Sequence, residues 1–383
     1  MICSTTCKTP IKKKTLQINT TINLLNSIKM KKFILAFASV MTALYSCTND
    51  DLTPNPDEKP EPATLTVNIV SDNPTKAQGD LHGNQTDDNT VNTLELFVFR
   101  TEGADAGMLD AYLKLENDQL KLSDIEIKTT TGAKIIYAIA NSHRDNWNGI
   151  NTLDAFQAQL SSLKDENIRD FTMTGSVEAT VQTTTAVTFS ISRLVARVQL
   201  ASIKTDFAGT PWEGSTLSNV KMYLVNVSSD KFYASGTDSQ TPGILNKGAL
   251  VAEDVNTCTM TYMLYDQIPS AIDDMGYSNT HYYYCYENAI EEETDDKQFT
   301  RLVVQADLNG HTYYYPIDIN QEGYGYVASN GHKGIKRNTI YTINLTITRP
   351  GSLDPNEPVE YGTLTVNLNV LDWTTTPVAN VIL

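Results

Sequence analysis

The side chains of this 383-residue chain that could do chemistry are few and badly arranged for catalysis. Five histidines, His82, His143, His281, His311 and His332, are scattered without metal-ligand spacing. There is no H-E-x-x-H, no G-x-S-x-G and no phosphate-binding loop, and Gly323-Tyr324-Gly325 lacks the third glycine and the strand-to-helix setting of a dinucleotide loop. The run Glu291, Glu292, Glu293, Asp295 and Asp296 lacks the glycine-punctuated spacing of a calcium loop and reads as solvated. Tyr282 to Tyr284 and Tyr313 to Tyr315 could stack on sugar rings, but alternation along a strand sends successive tyrosines to opposite faces, as in a half-buried sheet. The sequence therefore predicts no enzyme, no cofactor and no metal site.

Cysteine chemistry is better placed. After Met30, Lys31 and Lys32 precede an apolar run, 33–44, and Ser46 stands before Cys47, the layout of an export signal. The run is short for a permanent bilayer span. Leu44-Tyr45-Ser46-Cys47 resembles a bacterial lipobox, making Cys47 the acylated first residue of an outer-membrane lipoprotein; a plain secretory signal with a chance cysteine is the alternative. Residues 1–29 read as an upstream extension, so 1–46 is expected to be absent from the mature chain. Its loss removes seven lysines and no acid, moving the net charge from −16 to −23, a surface that repels nucleic acid. Asp50 and Asp51 resemble a surface-sorting signal or are simply part of an acidic tether, 47–62, rich in Pro, Asp, Glu and Asn. The remaining thiols, Cys258 and Cys285, could form a disulfide in an oxidising envelope.

A third reactive position is a peptide bond. Asn73-Pro74-Thr75-Lys76-Ala77-Gln78-Gly79 opens a long polar loop in which a trypsin-like protease could cut between Lys76 and Ala77, removing the segment before it.

The elements that position these features are strands. Alternating apolar runs predict strands over 64–70, 93–99, 120–127, 134–140 and 186–200, the last interrupted near Arg193, and then over 219–227, 260–264, 281–286, 300–307, 311–317, 339–348 and from 362 onward. Asn309-Gly310 suits a type I′ hairpin. One helix is expected where Leu153, Phe156, Leu160 and Leu163 recur at helical spacing behind Thr152 as N-cap. Many short strands with Gly- and Asn-rich turns predict an all-β chain of two immunoglobulin-like sandwiches, 63–192 with the short helix and 193–383, 63–76 being the removable strand and its loop. Thr64-Leu65-Thr66-Val67-Asn68 recurs as Thr363-Leu364-Thr365-Val366-Asn367. The first copy puts Leu65, Val67 and Ile69 on one face, the second Leu364, Val366, Leu368 and Val370.

Five segments, in order, resemble the fimbrillins, subunits of type V pili. They are Ala63 to Val67 with Thr75-Lys76-Ala77-Gln78-Gly79; Leu94-Glu95-Leu96-Phe97-Val98-Phe99; Ala138-Ile139-Ala140-Asn141; Ser192-Arg193-Leu194-Val195-Ala196-Arg197-Val198; and Ile335 to Tyr341 through Arg349-Pro350-Gly351, followed by Asp372-Trp373. The resemblance implies transthyretin-like sandwiches, surface export as a lipoprotein, and proteolytic removal of the first strand at a site where the family carries Arg rather than Lys76. The vacated groove would take a C-terminal strand from another copy or another pilus subunit. Residues 362–383 are the expected donor, with Val378, Val381 and Ile382 doing most of the insertion and 363–371 completing the chain's own second domain. An uncleaved lipid-anchored pilus anchor or accessory adhesin, and a glycan-binding surface lipoprotein with a host or bacterial ligand, are the alternatives.

Overall fold

The computed structural model describes residues 59–70, 89–234, 243–260, 263–294, 296–359, 362–373 and the two-residue strand Val378–Ala379. The chain is nearly all β, as its alternating apolar runs predict. The first sheet has β1 (Pro62–Val70) at its centre, antiparallel to β5 (Ile125–Thr130) and parallel to β9 (Thr184–Ser190). Facing it is a five-stranded sheet, ordered β10 (Ser192–Arg193), β8 (Met173–Val181), β6 (Gly132–Ala140), β3 (Thr93–Arg100) and β4 (Leu109–Glu116). Leu94, Leu96 and Val98 of β3 join Leu65, Val67 and Ile69 of β1 in one apolar cluster.

The opposite face of β3 carries Glu95, Phe97 and Phe99. It is covered by Trp147 and by Phe156 of helix α1 (Leu153–Gln157), whose ring centroid lies 4.7 Å from that of Phe97. Thr152 caps α1, its Oγ1 accepting from the Ala155 amide at 3.2 Å. The helix is shorter than the Leu153-to-Leu163 spacing predicts. Leu160–Ser162 forms strand β7 instead, because its backbone pairs with β14 (Asp230–Phe232), and tertiary pairing overrides the local period.

Eight of the strands from β11 to β21 build two further sheets. One is ordered β17 (His281–Tyr286), β11 (Val195–Thr205), β20 (Thr339–Ile347) and β21 (Leu364–Asp372); the other β16 (Tyr265–Ile268), β12 (Ser218–Val225), β18 (Arg301–Leu308) and β19 (His311–Asp318). β11 is antiparallel to β17 and parallel to β20, the same arrangement that surrounds β1. Small pairs are made by β13 (Val227–Ser228) with β15 (Ile244–Leu245), and by β2 (Thr90–Val91) with β22 (Val378–Ala379). All lie in one compact unit, Pro56–Leu383.

Several predicted strands move. The expected strand at 120–127 begins only at Ile125, because Asn117–Gln119 forms a 3-10 turn and Asp124 takes a left-handed φ of 51°. The one at 260–264 becomes β16, and a second helix, α2 (Ala252–Thr257), precedes it unannounced. β4 and β8 were not foreseen, although Leu109, Ala111, Leu113 and Leu115 of β4 recur at a period of two; Gly175 interrupts the apolar face of β8 and is needed because a Cβ there would stand 2.0 Å from the Ser190 carbonyl oxygen. The hairpin at Asn309-Gly310 has φ of 51° and 84°, the left-handed pair a type I′ turn requires.

Candidate functional site

β1 is the strand whose removal the sequence anticipates, and its setting is that of a tightly fitted plug. Leu65 and Val67 are wholly buried, and Ala63 and Ile69 nearly so, while Thr64, Thr66 and Asn68 face outward half-exposed. Residues Thr64 to Val67 have a partner strand on both sides: Leu65 lies opposite Ile127 of β5 and Thr185 of β9. The outward face is sewn by polar contacts, Lys128 Nζ donating to Thr64 Oγ1 at 2.8 Å and the Asp124 amide to Asn68 Oδ1 at 2.9 Å. Burial of Leu65, Val67 and Ile69 is worth about 1.5–3 kcal/mol each. Without β1, β5 and β9 would present two unpaired edges and the apolar faces of Ile127, Val187 and Phe189.

The second copy of the repeat is placed differently. β21 is an edge strand, joined to β20 by a continuous antiparallel register from Leu364 opposite Ile347 to Asp372 opposite Thr339. Leu364, Val366, Leu368 and Val370 do share one face, but each is only half-buried against the core. The alternation is therefore read correctly, whereas the depth of burial is set by position: a central strand is covered from both sides and an edge strand from one.

The resemblance segments around Arg193 and Trp373 converge on one joint. Arg193 and Arg197, four apart on neighbouring strands, are both fully buried, their guanidinium carbons 4.0 and 5.0 Å from the Trp373 ring centroid. Tyr284 and Phe171 flank the same indole at 6.0 and 5.9 Å. Arg337 Nε donates to the Arg193 carbonyl at 2.8 Å, and the Trp373 amide to the Asn338 carbonyl at 2.9 Å. No role was assigned to these side chains from sequence; two arginines inside an apolar strand run were the available signal, since a cation there must find a buried partner.

The other expected residues divide as follows. Cys258 and Cys285 are free, buried thiols and do not form the disulfide that sequence allowed; both sit in the apolar core, where burial raises their pKa to about 11 and about 12. Glu293 is tied rather than loosely solvated, its carboxylate accepting from Arg301 Nη2 at 2.8 Å and from the Phe299 amide at 2.8 Å. Tyr283, Tyr284 and Tyr315 are wholly buried, which leaves Tyr282, Tyr313 and Tyr314 part-exposed. Cys47, Lys76, Ala77, Val381 and Ile382 lie outside the described residues, and for Val378 the backbone alone is described, as part of β22.

Comparison with known proteins bears directly on this architecture. Residues 63–243 match the family described as major fimbrial subunit protein (FimA), and residues 194–373 match the fimbrium tip subunit Fim1C-like C-terminal domain. The chain belongs to the fimbrillin family. It is 26% identical to the major fimbrium subunit FimC of Porphyromonas gingivalis over 86% of its own length, and spans 66% of that relative. It is likewise 26% identical to a Parabacteroides distasonis protein named as fimbrium tip subunit Fim1C, over 79% of this chain and 83% of the other. A crystal structure of a cell adhesion protein from Parabacteroides distasonis shares the fold, with a TM-score of 0.62 at 21% identity, covering 82% of this chain and 98% of that one. These families are structural subunits rather than enzymes.

Proposed function

We propose that this chain is a polymerising subunit of a cell-surface fimbrium, exported as a lipoprotein through Cys47 and held inactive by its own first strand. The observation that carries this reading is the two-sided pairing of β1, with its wholly buried Leu65 and Val67, in a strand that a single cut in the following loop would detach. A trypsin-like protease cutting between Lys76 and Ala77 frees residues 47–76, and the groove between β5 and β9 then accepts an extended segment from another subunit, as in other strand-addition systems. The last residues, 374–383, with Val378, Val381 and Ile382, are the donor; β21 stays in the subunit because donating it would unzip its register with β20. Donor and acceptor are different surfaces, so the contact is head-to-tail and builds a filament. Two sandwich domains joined near Arg193 fit this scheme, since the sheets change membership there.

The decisive experiment combines N-terminal sequencing of shed surface protein with deletion of 376–383. A start at Ala77 and loss of high-molecular-weight ladders on unheated gels are expected; normal ladders from the deletion would overturn the assignment of the donor, and a retained acylated Cys47 would make the protein an anchor. A second reading, a subunit at the filament tip, is favoured by the match of 194–373 to a tip-subunit domain. Immunogold labelling confined to filament ends, rather than along the shaft, would select it.

A further inference from the structure

β16 and β17 are edge strands of the two sheets of the second sandwich, and a cleft of about 670 Å³ runs along them. That volume lies within the roughly 300–1,000 Å³ of small-molecule sites. Asn256 of α2, Tyr265, Asp266 and Gln267 of β16, and His281 and Tyr282 of β17 line it. Among the described residues no Lys or Arg is part of the lining, and Asp266 is its one carboxylate. The polar groups are held in place by one another. Asp266 Oδ2 lies 2.5 Å from His281 Nδ1, Asp266 Oδ1 accepts from the Gln267 amide at 2.8 Å, and the Tyr265 hydroxyl donates to Gln267 Oε1 at 3.3 Å. The Tyr277 ring stacks on the imidazole, with centroids 5.6 Å apart and planes 28° apart. His281 is thus locked, yet its Nε2 is buried and meets no hydrogen-bond partner among the described residues. A buried polar atom left in that state costs about 1–3 kcal/mol.

We propose that this cleft binds a neutral saccharide, Tyr282 packing against the C–H face of a pyranose ring while Asp266, Gln267 and His281 Nε2 bond its hydroxyls. The part-exposed Tyr282 has the guanidinium of buried Arg197 5.5 Å from its ring centroid, which occupies one ring face and leaves the other for the sugar. Pyranose C–H groups carry partial positive charge and suit the negative face of an aromatic ring. A hydroxyl both donates and accepts, so it can meet a carboxylate, a carboxamide and an imidazole nitrogen in one site. With Nδ1–H given to Asp266, Nε2 of the neutral ring accepts from such a hydroxyl. Sialylated, sulfated and phosphorylated ligands need a cation that the lining lacks. An extended peptide is a poorer fit, because the Tyr284 amide of β17 already donates to the Met263 carbonyl at 3.2 Å. The site is independent of how subunits assemble, since none of its lining residues belongs to β1, β21 or the segment after Trp373.

An oligosaccharide array with neutral, sialylated and sulfated members, probed with the labelled full chain, tests it. Neutral members built from hexoses and N-acetylhexosamines are expected to bind, and Tyr282→Ala and Gln267→Ala each to weaken that binding about tenfold, the scale of one lost contact. Gln267 is exposed, so its variant is expected to keep the parent's melting temperature, which separates loss of the site from loss of the fold. Tyr313→Ala, on the part-exposed tyrosine of β19 outside the cleft, is expected to bind like the parent. No binding by the parent, binding confined to sialylated or sulfated members, or undiminished binding by both cleft variants would overturn the site.

Discussion

The guanidinium carbon of Arg193 stands 4.0 Å from the centroid of the Trp373 indole, although 180 positions separate the two in sequence. That contact ties the end of β21 to β10, the short edge strand of the five-stranded sheet, with Arg197 and Tyr284 completing the surround. Because Arg193 and Arg197 are fully buried cations, the indole face does for them part of what water would otherwise do.

Trp373→Ala is therefore expected to cost about 3–5 kcal/mol, the usual range for truncating a buried aromatic, and more than the cavity alone implies because it leaves two buried guanidinium groups less well covered. Trp373→Phe should recover most of the loss. Urea midpoints of the two variants check this; equal midpoints for Ala and Phe would show that the ring face contributes nothing.

Leu65→Ala should weaken the plug by about 2–5 kcal/mol, since Leu65 is wholly buried between β5 and β9. After cleavage of the loop, the released strand should leave the groove faster than in the parent, read as earlier ladder formation. Thr66→Ala, on the half-exposed face, should leave that rate within experimental scatter.

Acid sensitivity should report on Asp110. Burial alone would raise its pKa, but hydrogen bonds from Thr129, Arg100 and Thr130 prevail and hold it well below the usual carboxylate range. A depressed folded pKa contributes stability that is present above the unfolded value of about 3.9 and is lost as pH falls toward the folded one. Asp110→Asn is expected to be less stable than the parent at pH 7 and to lose little more below pH of about 4. Parallel urea melts across that window test the sign.

Cys258 and Cys285, buried with raised pKa, should resist alkylation at pH 8 in the folded protein and react fully in denaturant. Reductant should not shift the melting temperature, as no bond joins them.

Much of the fold was legible because strands advertise themselves by alternation. β1, β3, β6, β11, β18, β19, β20 and β21 fall where apolar residues recur at a period of two, and the Asn309-Gly310 turn follows from the left-handed φ that those residues tolerate. β8 escaped notice because Gly175 and small polar residues give it little apolar contrast, and the predicted helix was overlong because Leu160 spends its backbone on Phe232 instead.

By itself the sequence determined the all-β class, the family, and the existence of two near-identical strands at opposite ends of the chain. Tertiary structure alone decided that these strands are not equivalent. β1 is central, paired on both sides and sealed, whereas β21 is an edge strand with its apolar face half-covered. The physical reason is that alternation fixes which side chains share a face, while the depth to which that face is buried depends on which neighbours the rest of the chain brings against it, and a local pattern carries no record of those neighbours.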